Sequence, residues 1–401
     1  MRLHDTAAGA VRPLQPAGDP VALYVCGITP YDSAHLGHAF TYHVFDVITR
    51  RLRAGGLGVR SVRNITDCDD DIFRTARRRG VDHAVLVAEQ VARFDAEMAS
   101  IDVLPVDAAP YASRHVPAMV DWISRLATAD FAYAREGWVY FDVSAFDRYG
   151  DLSRLGRDRM LVLSRERGGD PSDPRKDDPL DFVLWQPSLP DEPAWDSPWG
   201  QGRPGWHIEC SVLAREFHPD GVDLHGGGED LVYPHHESEI AQAEAVGPHP
   251  FARHWVHVAM VGLDGTKMSK SLGNLVFVHD LLRSAPPAAV RLLFAAHHHR
   301  RGWDYHAGLL DQAVERLRAY RAACASDARF DPESAAALER GFFERVDDDL
   351  DTPGALRVLD EAVAGLRDGH GAGVRSAALV PRLLDVVGAG LGLASARAAG
   401  A

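Results

Sequence analysis

The chain has 401 residues, with 43 Lys and Arg against 57 Asp and Glu, for a formal net charge of −14. Its 46% hydrophobic and 25% charged residues are an ordinary globular balance, which excludes disorder for the bulk and, at about 100–200 residues per domain, predicts two or three domains. No run approaches the ~18 apolar residues of a membrane span, the N-terminus lacks the apolar core of a secretory signal, and four scattered cysteines are too few for a disulfide framework. A cytoplasmic protein is expected, and its acidic balance weighs against an extended phosphate-binding surface.

Val21-Ala22-Leu23-Tyr24-Val25 reads as a buried strand, and Cys26-Gly27-Ile28-Thr29-Pro30 as the turn out of it. A helix is predicted from Leu36, a strand at Val59–Asn64, an Asp-rich turn at Thr66–Asp71, and helices over Ile72–Arg79 and His83–Ile101. This alternation predicts a parallel α/β sheet. A helix from Arg114 leads to an extended hairpin segment at Trp138–Val143. The stretch 147–204 is rich in Gly, Pro, Asp and Arg, the composition of a connective insertion and not of sheet core. The pattern resumes with a helix at Trp206–Phe217, a strand at Val222–His225, a glycine turn, a helix at His235–Val246 and a strand at Trp255–Val261. The expected layout is one α/β domain in two pieces, 1–110 and 205–262, split by an insertion at 111–204. A loop-bearing stretch at 263–290 and a helical bundle at 291–401 follow.

Three constellations carry chemistry. His35-Leu36-Gly37-His38 places two imidazoles around a glycine where a turn becomes a helix; N–H groups there attract phosphate, and glycine permits close approach. Lys267-Met268-Ser269-Lys270-Ser271 follows a strand and offers two ammonium groups to charge building on a phosphate. Cys26, Cys210, His235 and Glu239 form a candidate metal set, because His235 and Glu239 are four apart on one predicted helix face and two thiolates with an imidazole suit Zn²⁺. His236 competes with His235 as ligand. A coordination position left for substrate takes a thiol as thiolate, which selects cysteine over serine. Cys68 and Cys324 lack such company and are read as structural.

The His35–His38 and Lys267–Ser271 strings, in this order and separation, resemble those of class I aminoacyl-tRNA synthetases. Together with Cys26–Asp32, Asn64-Ile65-Thr66-Asp67, Gly205–Cys210, Gly226-Gly227-Gly228-Glu229-Asp230 and Pro234-His235-His236-Glu237, they resemble cysteinyl-tRNA synthetases and their relatives, the mycothiol cysteine ligases, over almost the whole chain. Glu166-Arg167-Gly168-Gly169-Asp170-Pro171 resembles a segment of the ligases. The resemblance implies a Rossmann-like α/β catalytic domain that activates L-cysteine with ATP as cysteinyl adenylate, with Mg²⁺ accompanying ATP and one Zn²⁺ per chain. In the ligases the acceptor is the amine of glucosaminyl-inositol, and AMP and pyrophosphate are released.

By the same resemblance, His35, His38, Lys267 and Lys270 stabilise phosphate charge. Cys26, Gly27, Ile28, Thr29, Thr41, Asn64, Ile65, Thr66, Trp206, Gly228, Glu229, Asp230 and Val261 line the adenylate pocket. Glu166, Arg167 and Asp170 are candidates for the amino sugar. Glu239 resembles the fourth zinc ligand of the cysteinyl-tRNA synthetases, which the ligases lack, and Glu229 stands where both families carry serine. The chain ends soon after its expected bundle, where a cysteinyl-tRNA synthetase continues into an anticodon-reading domain, so tRNA is not the expected acceptor. A shortened synthetase, or a paralogue serving another amine, is the alternative.

Overall fold

Apolar β-branched and aromatic residues fill the strand Val21–Ile28, which is buried along most of its length as a central parallel strand must be. The computed structural model describes residues 1–31, 35–263, 265–268, 273–366 and 373–391. In it, Val21–Ile28 lies between Val59–Ile65 and Leu224–Gly228, and Trp255–Val258 completes a four-stranded sheet, parallel throughout. From Val21–Ile28 the chain passes first to Val59–Ile65 on one side. Only after the insertion does it reach Leu224–Gly228 on the other. The connections therefore diverge at the carboxyl end of Val21–Ile28, the topological switch point where open α/β sheets form their ligand crevice.

Helix Leu36–Ala54 makes the first crossover and buries Leu36, Phe40, Val44, Val47 and Ile48, with Phe40 edge-on to Trp303 (5.6 Å). Arg51 and Arg53 in its last turn complement the helix dipole. Two glycine stretches predicted as turns are instead strand residues. A Cβ on Gly27 would lie 1.6 Å from the Asn64 carbonyl oxygen, and one on Gly226 would lie 2.2 Å from the Phe45 ring. Close approach, not turning, is what demands glycine there.

The segment read as connective also contains sheet. Ala132–Arg135, Trp138–Phe141, Phe182–Pro187 and Gly202–Pro204 form a four-stranded antiparallel sheet, with helix Arg157–Glu166 in the connection between its second and third strands. The apolar run Phe182–Trp185 is short and ends at Pro187, so the surrounding Gly and Pro mask its periodicity. Phe182 stacks on Phe141 (4.9 Å) and meets the His207 ring edge-on (5.6 Å), seating the insertion on helix Trp206–Phe217.

Beyond the parallel sheet, Val261–Leu263 pairs with Thr266–Lys267 and with Trp303–Tyr305. Helices Pro287–Ala295, Ala307–Ala325, Pro332–Asp347, Thr352–Ala364 and Ser376–Val386 pack around Leu317, Tyr320, Phe342, Leu356 and Leu383. Asp331 and Asp351 cap two of them, each followed by a proline in the first turn. The fully buried Arg291 donates to Asp46, joining the bundle to helix Leu36–Ala54. Among the described residues no helix is long and apolar enough to cross a membrane.

Candidate active site at the carboxyl edge of the sheet

Four elements converge at the switch point. Cys26 comes from strand Val21–Ile28 and Cys210 from helix Trp206–Phe217. His235 comes from the wide turn Val232–His236, broken by extended Tyr233, and Glu239 from the first turn of helix Glu237–Ala245. Each offers one ligand atom, and these four atoms lie within 4.8 Å of one another, all on buried side chains. The Cys26 thiol donates to Glu239 Oε1 (3.3 Å), and His235 Nε2 lies 3.1 Å from the same oxygen.

Histidines that sequence reasoning missed surround this set. His225 Nε2 is 2.9 Å from Glu239 Oε2, fixing the carboxylate so that Oε1 faces Cys26 and His235. His207 Nδ1 lies 2.9 Å from His235 Nδ1, and the Trp206 indole stacks on the His235 ring (4.2 Å, 19°). His235 is thereby oriented with Nε2 toward the cluster, as outer partners orient metal-binding imidazoles. His236, the competing candidate, lies 3.3 Å from Cys26 Sγ through Nε2 and groups with Cys26 and His225 as a second donor set. Its Nδ1 is 2.7 Å from His257, whose other nitrogen meets the Thr6 hydroxyl.

Burial dominates the electrostatics. It pushes the Cys26 thiol well up, helped by Cys210 and Glu239, and the Cys210 thiol up. It holds His235 and His236 well down, and His207 and His257 down to about 3, so all four imidazoles are neutral near pH 7. Among the described residues no lysine or arginine pairs with Glu239. Two sulfurs, an imidazole nitrogen and a carboxylate oxygen, gathered without a basic partner, fit a divalent cation with a preference for sulfur and nitrogen.

His35 and His38, expected to meet phosphate, are less buried than the donor set. His35 is the N-cap of helix Leu36–Ala54, and its Nδ1 accepts the Gly37 N–H (3.1 Å), so the neutral ring carries its proton on Nε2. The His38 ring stacks on it (3.9 Å, 25°). One turn on, the Thr41 hydroxyl donates to the Gly37 carbonyl (3.1 Å). The Leu36 N–H donates to the Val276 carbonyl (2.8 Å), tying this string to the chain beyond the lysine loop. Lys267 belongs to the strand Thr266–Lys267 paired with Gly262, but its side chain and all of Lys270 lie outside the described residues.

The expected pocket wall is knit together along the sheet edge. Asn64 Oδ1 accepts the Gly27 N–H (2.7 Å) and its Nδ2 donates to the Thr66 hydroxyl (3.1 Å). The Thr66 N–H donates to the Ile28 carbonyl (3.0 Å), Ile65 pairs with Ile28, and the Thr29 carbonyl accepts the Tyr31 N–H (3.0 Å). Opposite, Gly228 ends its strand and Glu229 Oε1 accepts the Met260 N–H (3.1 Å), fastening the glycine segment to the chain just before Val261. Arg167 donates to the backbone carbonyl of Asp230, which brings the 166–171 segment to the same rim. Glu166 and Asp170 are exposed, and Asp170 accepts the Ser172 N–H (2.8 Å) in its own turn.

The family model described as tRNA synthetases class I (C) catalytic domain matches residues 13–315. A relative from Frankia casuarinae, named L-cysteine:1D-myo-inositol 2-amino-2-deoxy-alpha-D-glucopyranoside ligase, is 46% identical over 374 residues, covering 92% of this chain and 80% of its own. The protein of that name from Thermomonospora curvata is 44% identical over 400 residues, covering 98% and 94%. Among solved structures, Mycobacterium tuberculosis methionyl-tRNA synthetase in complex with methionyl-adenylate superposes with a TM-score of 0.65 at 17% identity, over 86% of this chain and 82% of that one, a likeness of fold. The chain belongs to the class I (C) tRNA synthetase catalytic family, in the branch of the L-cysteine:1D-myo-inositol 2-amino-2-deoxy-alpha-D-glucopyranoside ligases.

Proposed function

We propose that the chain is an ATP-dependent ligase that joins L-cysteine, through cysteinyl adenylate, to the amine of glucosaminyl-inositol in mycothiol biosynthesis. The observation that carries this reading is the buried four-donor set beside the switch point, in a chain whose relatives bear the ligase name. Cys26, Cys210 and His235 would hold a Zn²⁺ ion, with Glu239 at the position a substrate sulfur would take. The group would supply a Lewis-acid site that binds a thiol as thiolate and so favours cysteine over serine.

In the first stage the cysteine carboxylate attacks the α-phosphorus of ATP, delivered with Mg²⁺, and pyrophosphate leaves. His35, with its proton on Nε2, donates to phosphate oxygen; His38 beside it and the N–H groups at the start of helix Leu36–Ala54 act on the same charge. Lys267 and Lys270 neutralise the departing pyrophosphate. The edge formed by Cys26 to Thr29, Asn64 to Thr66, Gly228 to Asp230 and Val261 cradles the adenylate, with Thr41 below the phosphates and Trp206 over the cysteinyl group. In the second stage the neutral sugar amine attacks the activated carbonyl, AMP leaves and an amide forms. Glu166, Arg167 and Asp170 meet the sugar, a role supported by Arg167 reaching the Asp230 carbonyl.

The test is product analysis by mass spectrometry after supplying ATP, Mg²⁺ and L-cysteine with glucosaminyl-inositol or with unfractionated tRNA. Cysteinyl-glucosaminyl-inositol with AMP is expected. Cysteine on tRNA would replace this reading with that of a cysteinyl-tRNA synthetase, which the position of Glu239 in the donor set favours over other rivals.

A further inference from the structure

The bundle meets the α/β domain at a turn with an unusual backbone. Asp349 and Leu350 are consecutive non-glycine residues at φ +56° and +54°, a conformation that persists only where its surroundings enforce it. The enforcement is visible in the contacts of the buried Asp349 carboxylate. His4 N–H donates to Oδ1 (2.7 Å) and Arg300 Nε donates to Oδ2 (2.7 Å), while His298 and His299 each approach with Nε2 at 3.8 Å. The neighbouring acids are engaged too. Asp347 pairs with Arg51 (2.6 Å) on the helix headed by His35 and His38, and Asp348 pairs with Arg2 (3.3 Å).

The segment that Asp349 grips continues into the strands that carry the lysine loop. The His299 carbonyl accepts the Ala259 N–H (2.7 Å) where the chain leaves strand Trp255–Val258. The Met260 carbonyl accepts the Trp303 N–H (3.4 Å), and Trp303–Tyr305 runs parallel to Val261–Leu263 in register. His297 stacks on the Trp303 indole (3.9 Å, 12°). Val261–Leu263 then pairs with Thr266–Lys267. None of the four metal-candidate ligands hangs from these strands.

We propose that Asp349 is a positioning residue for the nucleotide: by holding His298–Arg300 it sets the line of Val261–Leu263, and so the backbone of Lys267 paired with Gly262. This rests on the adenylate-forming reading above. Asp349→Asn keeps the size and the tolerance for positive φ while removing the charge. ATP and cysteine affinities are measured separately by calorimetry on the full chain with its metal, together with metal content. ATP binding is expected to weaken about tenfold, a modest coupling, with cysteine affinity and metal content unchanged. Arg300→Gln is expected to do the same, and the double variant no more than either, because the two act as a unit.

Unchanged ATP affinity in both variants would overturn the proposal, as would cysteine affinity falling in step with that for ATP, which marks general loosening. If Asp349→Asn does not fold, Arg300→Gln, at a surface-accessible side chain, carries the same test. Absence of cysteine-dependent pyrophosphate exchange in the unaltered protein would sink the functional reading, while the ATP affinities still decide the role of Asp349.

Discussion

Cys26, Cys210, His235 and Glu239 are at most 5% exposed and arrive from four separate elements, whereas His35 and His38 are neighbours at one helix start, with His38 exposed. Under the proposed function, the difference follows from what each half must recognise. A thiol is told from a hydroxyl by direct coordination, which needs donors held in a dry, prearranged shell. A triphosphate is large and charged and loses its outer part as pyrophosphate, so an open rim lined by backbone N–H groups suits it. On that reading, selectivity is a property of tertiary packing, and phosphate handling one of local sequence.

Variants on the two sides sharpen that contrast. Cys210→Ser has the largest expected effect: bound metal falls to background by elemental analysis, and cysteine-dependent pyrophosphate exchange drops by about 1,000-fold or more. Retained metal would break the comparison by removing Cys210 from the shell. His38→Ala comes next, with exchange slowed about 100-fold while metal content stays intact; a joint loss of metal would mean that the two halves are one unit. His225→Gln releases Glu239 Oε2 and is expected to weaken metal affinity about tenfold in chelator competition. An unchanged affinity would make the surrounding histidines mere packing. The smallest effect belongs to Arg167→Ala, which raises the half-saturating sugar concentration about fivefold, the scale of one lost hydrogen bond, and leaves exchange untouched.

Legibility follows the same division. His35, His38 and Lys267 are readable because each lies in a short string whose chemistry is local. Cys26, Cys210, His235 and Glu239 are readable because thiols are rare in this chain, four in 401 residues. His225, His207 and His257 escaped notice because each sits in a different strand or helix with no telling spacing. Their one signal is a count of 20 histidines, which does not say where any of them points. The parallel sheet was legible from the apolar run Val21–Val25 and from strands alternating with helical patterns. The antiparallel sheet of the insertion was not, because Phe182–Pro187 is brief and Gly202–Pro204 consists of residues that ordinarily end structure.

The pairing of Val21–Ile28 with Val59–Ile65 shifts register between Val25 and Ile28, so the central strand departs from regular pairing at Cys26 and Gly27. One delivers its sulfur to the donor set, and the other presses a bare backbone against Asn64. The candidate thiol site and the candidate nucleotide wall thus share one irregularity of the central strand. A Cβ at position 27 would have to displace Asn64, and a strand that moved to make room would carry the Cys26 sulfur with it.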